Sequence, residues 1–401
     1  MESTPGTSPG AAEKKPSIVV KGIVLIAIAA AFAMVHGPYV KASFAKINDE
    51  DRLFFQHNAT KIHSVWDCFK GGSTCPGFYR PLTTNLYFFI GRELFANRIQ
   101  IYHLVNIAFF IANAYLLYLI CVALLPGPWA ALPPIFFVSR FGLADVATCA
   151  CEFQALLSVF FTLLALRLFM TGRERGDPLL AASSAAAFGL ALFCKETAAV
   201  FPALVLLFAW LLDEKPSWRQ YIFPLGASAF LLIVYLFCLQ ALAGYQETGL
   251  HVNASFSNVL GNYSAYLLAF LNALTYKVRN PSMASNAAMN ASLRWMWAAH
   301  VSLVGRAAFV ILVGVSLVFA AIHRRLKGGY AAPARVFVFG ILFFVIAMIP
   351  YVILNGRPFM RYGYLGDAGL AISSGVVLHE IAGMILRKVR KAPAPASASA
   401  S

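Results

Sequence analysis

From Ile18 onward, apolar runs of roughly 20 residues recur along nearly the whole chain, divided by short polar or basic loops. Each run is long enough to cross a hydrocarbon core about 30 Å thick. Lipid offers no partner to backbone N–H and C=O groups, so such runs must satisfy them internally as helices. Only 12% of the 401 residues are charged, against about 25% in soluble domains. Ten runs are readable, with approximate edges 18–38, 101–125, 129–150, 153–170, 178–195, 197–212, 220–242, 307–323, 334–354 and 365–386. The expectation is an all-α polytopic membrane protein. Residues 178–195 and 197–212 read as a helical hairpin bent at "CKET". The stretch 258–276, interrupted by Gly261, Asn262 and Asn272, reads as interfacial or re-entrant, with a full span as the alternative.

The polar flanks set the domain limits. Residues 1–17 are rich in Pro, Gly and Ser and read as a disordered cytoplasmic tail. The transmembrane domain is expected over 18–386, and 387–401 forms a basic, low-complexity cytoplasmic tail. Lys and Arg concentrate in 172–177, 213–219, 323–329 and "RKVRK" (387–391), which alternate correctly to share one face. The positive-inside rule makes that face cytoplasmic. Segments 39–100, 243–306 and 355–367 then face outward. The net charge of +15 is spread over these loops and the tail, which suits anionic membrane lipids and not nucleic acid. The first outer loop itself carries eight basic residues. The outward assignment is kept because Cys68 and Cys75, in "DCFKGGSTC", read as a disulfide suited to an oxidising compartment. The sequons at Asn58, Asn253, Asn262 and Asn290 fall on the same side.

Three acids, Asp49, Glu50 and Asp51, stand together about ten residues beyond the first apolar run of a chain poor in acids. Adjacent carboxylates repel, which raises the pKa of one of them and suits it to general-base work; a solvated acidic turn is the plain alternative. Downstream, "FYRPLTTNLYFFIGRELFANR" starts with Arg80 and Pro81 and continues with mixed helical spacing. Arg92, Glu93 and Arg98 are free to face water, as in a helix lying in the membrane interface. Tyr102, His103 and Asn106 open the next span. Lys195 and Glu196 stand at the outer end of a helix, where an ionisable pair points to function or to a structural ion pair. Arg357 and Arg361 lie in "NGRPFMRYGYLGD", and guanidinium forks match phosphate oxygens. Arg140, Asp145 and Glu152 lie in or at the end of the third run, where at least one pair must compensate charge. No recurrent ligand spacing marks a metal site, although the paired carboxylates leave a divalent metal open.

The order of these motifs, an acidic cluster after helix one, "YRPLT", "YHLVN", "CKE" and then "RYGYLGD", resembles the GT-C superfamily of membrane glycosyltransferases. It is most similar to the bacterial branch related to protein O-mannosyltransferases and to the membrane region of the TPR-containing mannosyltransferases. The likeness runs from about residue 20 to 385. It departs in having no TPR repeats after the last span. It also has Arg140 and Phe141 where relatives carry a His-Pro pair, and Asp145 where they tend to have Glu. The resemblance implies a GT-C-like bundle of about ten helices with interfacial helices on its outer face. It implies a sugar donor on polyprenyl or dolichyl phosphate and an acceptor hydroxyl on a protein, glycan or lipid. It places the base at Asp49, with Asp51 second and Glu50 beside them. Lys195, Arg357 and Arg361 become candidates for the donor phosphate, with Arg80, His103, Asp145 and Glu196 supporting. A bacterial inner membrane is expected over the endoplasmic reticulum. The rival reading is a transporter or flippase for a lipid-linked substrate. It accounts for intramembrane charge but calls for paired internal repeats that the sequence does not show. A scaffold subunit would leave the acids dispensable.

Overall fold

The computed structural model describes residues 16–71, 77–96, 98–140, 143–213, 216, 218–243, 252–279, 303–322, 331–354 and 360–391. Among them the structure is helical throughout, with a single isolated antiparallel bridge between Val252 and Leu354. The helices are α1 (Ile18–Ser43), α2 (Asp49–Lys61), α3 (Asp67–Lys70), α4 (Tyr87–Phe95), α5 (Ile99–Cys121), α6 (Leu132–Val138), α7 (Ala144–Thr148) and α8 (Phe153–Arg175). They continue as α9 (Pro178–Cys194), α10 (Phe201–Leu211), α11 (Trp218–Cys238), α12 (Phe256–Arg279), α13 (Leu303–Ile322), α14 (Ala331–Val352) and α15 (Tyr364–Lys391). Six are long and apolar enough to cross a membrane, and four further apolar helices of 10–17 residues accompany them. The chain is an integral membrane protein.

Local sequence explains the boundaries. Asn48 caps α2 by accepting from the Asp51 N–H at 2.7 Å, so Asp49, Glu50 and Asp51 fill the first turn, where the helix dipole favours negative charge. Arg92 on α4 donates to the Asn58 and Ile62 carbonyls at 3.0 and 3.1 Å and closes the other end of α2. Gly176 adopts φ 66° after α8, Asp177 accepts from the Leu179 and Leu180 N–H groups, and Pro178 opens α9. The result is an antiparallel α8–α9 pair. Helix α9 stops at Lys195, whose backbone is extended, and a short 3₁₀ turn at Glu196–Val200 leads into α10. The bend expected at "CKET" is therefore present.

One expectation changes, and for 258–276 the re-entrant form is removed while the interfacial helix and the full span both stand. The run 129–150 is not one span: it breaks into α6 and α7 with Arg140 between them. Pro133 and Pro134 open α6, and charged Arg140 and Asp145 cannot lie in an unbroken lipid-facing helix without partners. The stretch 258–276 is the middle of one continuous helix, α12. Gly261 and Asn262 do not break it, because the Asn258 and Asn262 side chains serve another element. Their amides donate to the carbonyls of Val352 and Leu354 just where α14 ends. Asn58 and Asn262 are buried and hydrogen-bonded, so neither sequon is open to a glycan; Asn290 lies outside the described residues.

The core runs through α5, α6, α8, α9, α10, α14 and α15. Helices α14 and α15 approach backbone to backbone: a Cβ on Gly340 would sit 2.5 Å from the Gly369 carbonyl oxygen, and one on Gly369 2.6 Å from that of Gly340. Small residues permit such contact between membrane helices. It fixes α15, and with it the turn Met360–Gly363 that precedes it.

Candidate functional site

At the end of the bundle where α8 begins, three elements bring acids and cations together. The first turn of α2 supplies Glu50 and Asp51. The segment between α7 and α8 supplies Cys149, Cys151 and Glu152. The turn before α15 supplies Arg361. Asn48 joins the first two by donating to the Cys149 sulfur at 3.0 Å. Asp51 is buried, and its Oδ1 accepts from the Cys151 N–H at 2.8 Å. Its Oδ2 is buried and has no hydrogen-bond partner among the described residues. Burial raises Asp51 to about 6, against the opposing pull of the Cys151 and Ala150 backbone N–H groups.

Arg361 forks onto Glu50 at 2.7 and 2.9 Å, and its Nε lies 3.2 Å from Glu152 Oε1. The hydrogen bond from Arg361 holds Glu50 below the usual carboxylate range. Glu152 is almost wholly buried, and its Oε2 has no hydrogen-bond partner among the described residues. One guanidinium therefore sits between two carboxylates, and the Cys151 N–H that holds Asp51 belongs to the residue before Glu152.

A second, cation-rich network abuts the first. Arg80 donates from Nε and Nη2 to Glu196 at 2.7 and 2.5 Å, and from Nη1 to Gln154 at 2.6 Å. Lys195 is buried, with Nζ 5.7 Å from the ring centroids of both Tyr351 and Tyr362, which stack at 4.7 Å. No ion-pair partner lies within 4 Å of Lys195 among the described residues. The charge of Glu152 acts on Lys195 and on Arg361, so it links the networks.

The expected residues divide as follows. Glu50, Asp51, Arg361, Lys195, Arg80 and Glu196 gather at this end. Asp49 does not join them: its side chain is 98% exposed, 3.7 Å from Arg52, because it points away from Asp51 on the same helix. His103 is buried, and its Nδ1 lies 3.1 Å from the Phe44 carbonyl. Asp145 accepts from the Tyr39 hydroxyl at 2.5 Å, and its backbone carbonyl receives the Cys149 N–H at 2.9 Å, so it props the loop that carries Cys151 and Glu152. Arg140 pairs with Asp367 at 2.9 Å in full burial, which ties the break after α6 to α15. Arg357 lies outside the described residues. The Cys68–Cys75 bridge involves Cys75, also outside them; Cys68 is a buried thiol whose Sγ reaches the Ser64 carbonyl at 3.7 Å. Sequence reasoning did not reach Cys149, Cys151, Gln154, Tyr351 or Tyr362, whose roles depend on contacts distant in the chain.

The arrangement bears on a metal. Glu50, Cys151 and Glu152 offer ligand atoms within 4.8 Å of one another. Arg361 already pairs with both carboxylates, so a divalent ion would have to displace a guanidinium from two partners. The residues present do not fit such an ion while Arg361 is in place.

The Arg80–Glu196 pair yields a stability expectation. Removing Arg80 strands Glu196, whose side chain keeps 28% exposure, and costs about 1–3 kcal/mol, less than for a fully buried pair. Arg80→Ala should lower the stability of detergent-purified protein by that order, read in chemical unfolding. Arg80→Met combined with Glu196→Gln should recover most of it.

Among solved structures, the chain is similar to the archaeal oligosaccharyltransferase AglB from Archaeoglobus fulgidus, determined with an inhibitory peptide and a dolichol-phosphate. Identity is 12%, the match covers 93% of this chain and 52% of that one, and the TM-score is 0.47. The chain spans about half the length of that protein. No protein-family model matches the chain, and no curated protein matches it.

Proposed function

We propose that the protein is a membrane glycosyltransferase that moves a sugar from a polyprenyl-phosphate donor to an acceptor hydroxyl, with Asp51 as base. The observation that carries this reading is the buried Asp51, with an unpaired oxygen and a pKa raised to about 6, set beside the Glu50–Arg361–Glu152 array. The ordered motifs from "NDED" to "RYGYLGD" support it independently.

The chemistry follows from the charges. A carboxylate with an apparent pKa near 6 is ionised at neutral pH, yet basic enough to take a proton in the transition state. Seating of the acceptor has to uncover Asp51 Oδ2, which is buried in the resting structure; the acceptor oxygen then passes its proton to it and bonds to the anomeric carbon. The bond from that carbon to the phosphate oxygen breaks with its electron pair, and the lipid phosphate leaves. Charge growing on that oxygen needs fixed cations. Lys195, buried and without a close anion, and Arg361, anchored by two carboxylates, supply them. Attack opposite the leaving group inverts the anomeric centre. Asp51 displaces Asp49 as the preferred base because Asp49 is solvated. Arg80, Glu196 and Asp145 act as positioning residues. The acceptor is a protein, glycan or lipid presented on the outer face, assigned by the loop charges.

The deciding experiment assays purified protein against a panel of polyprenyl-phosphate sugars, with product detected by mass spectrometry. Transfer from at least one donor is expected; donor export without covalent transfer would favour a transporter. The pH profile offers a further check. Asp51 works as base only when ionised, so kcat/KM should rise about tenfold per pH unit below a break near 6 and level off above it. Stability runs the other way. The folded state holds this proton more tightly than an unfolded chain at 3.8, so that contribution is complete below 3.8 and lost as pH rises through about 6. A flat rate profile between pH 5 and 7 would count against Asp51.

A further inference from the structure

At the opposite end of the bundle a cavity of about 310 Å³ opens between α5, α8, α10 and α14. Its walls carry Leu124, Met170 and Phe208, and its charged groups are Arg167, Arg335 and Glu174. We propose that it binds an anionic phospholipid of the cytoplasmic leaflet, with Arg167 on the headgroup phosphate and the acyl chains along the apolar wall.

Arg167 carries the argument. It lies in the membrane-spanning helix α8, three residues before the apolar run ends at 170 and the basic segment 172–177 begins, or about 4.5 Å at 1.5 Å per residue. It is half-buried, and its guanidinium has neither an ion pair nor a hydrogen bond among the described residues. Glu174 acts on it only at a distance, and Arg175 opposes it. A half-buried guanidinium without a hydrogen-bonded partner at the edge of the hydrocarbon carries a desolvation cost, and that cost falls when an anion reaches it. The cavity wall is otherwise largely apolar, so the ligand must join an anionic head to a hydrocarbon body. A phospholipid does so, and a free phosphate does not. The loop charges assign this end to the cytoplasm, where leaflets carry anionic lipid. A fork suits phosphate oxygens better than an ammonium does.

The inference is independent of the glycosyltransferase reading, and its test does not use transfer. Full-length protein in detergent would be titrated with phosphatidylglycerol, phosphatidylcholine or inorganic phosphate. Bound lipid is counted by native mass spectrometry and thermal unfolding is followed in parallel. Phosphatidylglycerol should be retained at least about tenfold better than phosphatidylcholine, since a charge-assisted fork is the stronger hydrogen bond. It should raise Tm by about 2–4 °C near saturation. Arg167→Gln should lose both effects and Arg167→Lys should keep part of them. Without lipid, Arg167→Gln should melt no lower than wild type, because it removes an unpaired charge; this separates lost binding from misfolding. Equal retention of both lipids, or an unchanged phosphatidylglycerol response in Arg167→Gln, would overturn the proposal. Inorganic phosphate alone reproducing the Tm rise would overturn the lipid assignment.

Discussion

Asp51→Asn is expected to reduce glycosyl transfer by about 10²–10⁴-fold, the usual contribution of a positioned base. The substitution keeps the shape of the side chain, and its amide oxygen can still accept from the Cys151 N–H at 2.8 Å. The protein should therefore fold and still hold donor lipid, with the loss in kcat and little change in the KM for donor. Asp49→Asn is the control. Its side chain is 98% exposed, and neutralising such a group changes stability within about 0.5 kcal/mol. Each variant is assayed at matched membrane abundance. The reverse outcome, a large loss in Asp49→Asn and a near-normal Asp51→Asn, would return the base to the solvated position. Loss in neither would remove the cluster from the mechanism.

That Asp51 is buried while Asp49 is solvated is a matter of helical phase. Residues two apart lie roughly 200° apart around a helix of 3.6 residues per turn, so Asp49 and Asp51 cannot share a face. The phase was readable: Asp51, Phe54 and Asn58 follow i, i+3, i+7 spacing and form the buried stripe of α2. An acid leading an apolar stripe is the one drawn into the protein. The long spans were legible because α1, α5, α8 and α11 are each longer than 20 residues and carry an apolar stretch of 18. The break in the third run was announced by Pro133, Pro134, Arg140 and Asp145, whose charges are poor company for lipid. By contrast, Lys195 beneath the stacked rings of Tyr351 and Tyr362 left no local trace. The two tyrosines come from the end of α14 and the turn before α15, more than 150 residues from Lys195. Nor did spacing show that Arg361 would meet Glu50, 311 residues away, because that meeting depends on how closely α15 packs on α14.

Arg361 should be the most consequential cation of the site, and its variants should separate charge from geometry. Its guanidinium does two things at once: it forks onto Glu50 and reaches Glu152 at 3.2 Å. Lysine keeps the charge but has no planar fork, so Arg361→Lys can satisfy one carboxylate well and not both. It should fold, retain donor weakly and lose transfer by an order of magnitude or more, because a cation displaced by about 1 Å costs about 10²-fold. Arg361→Gln removes the charge and leaves Glu152, only 4% exposed, without its counter-ion. A stranded buried carboxylate costs about 3–5 kcal/mol, so this variant should melt markedly lower as well as lose activity. The same change exposes Glu50, Cys151 and Glu152 to an outside cation, their ligand atoms lying within 4.8 Å of one another. Manganese titration followed by electron paramagnetic resonance should show a stoichiometric site in Arg361→Gln and none in wild type. Added manganese should restore part of the lost thermal stability, since the ion takes over the neutralisation that the guanidinium performed. Stoichiometric manganese binding by the wild-type protein would mean that Arg361 yields the site to metal, and the mechanism would then need the ion. Equal transfer rates in wild type and Arg361→Gln would instead detach the guanidinium from the leaving phosphate and leave Lys195 as its partner.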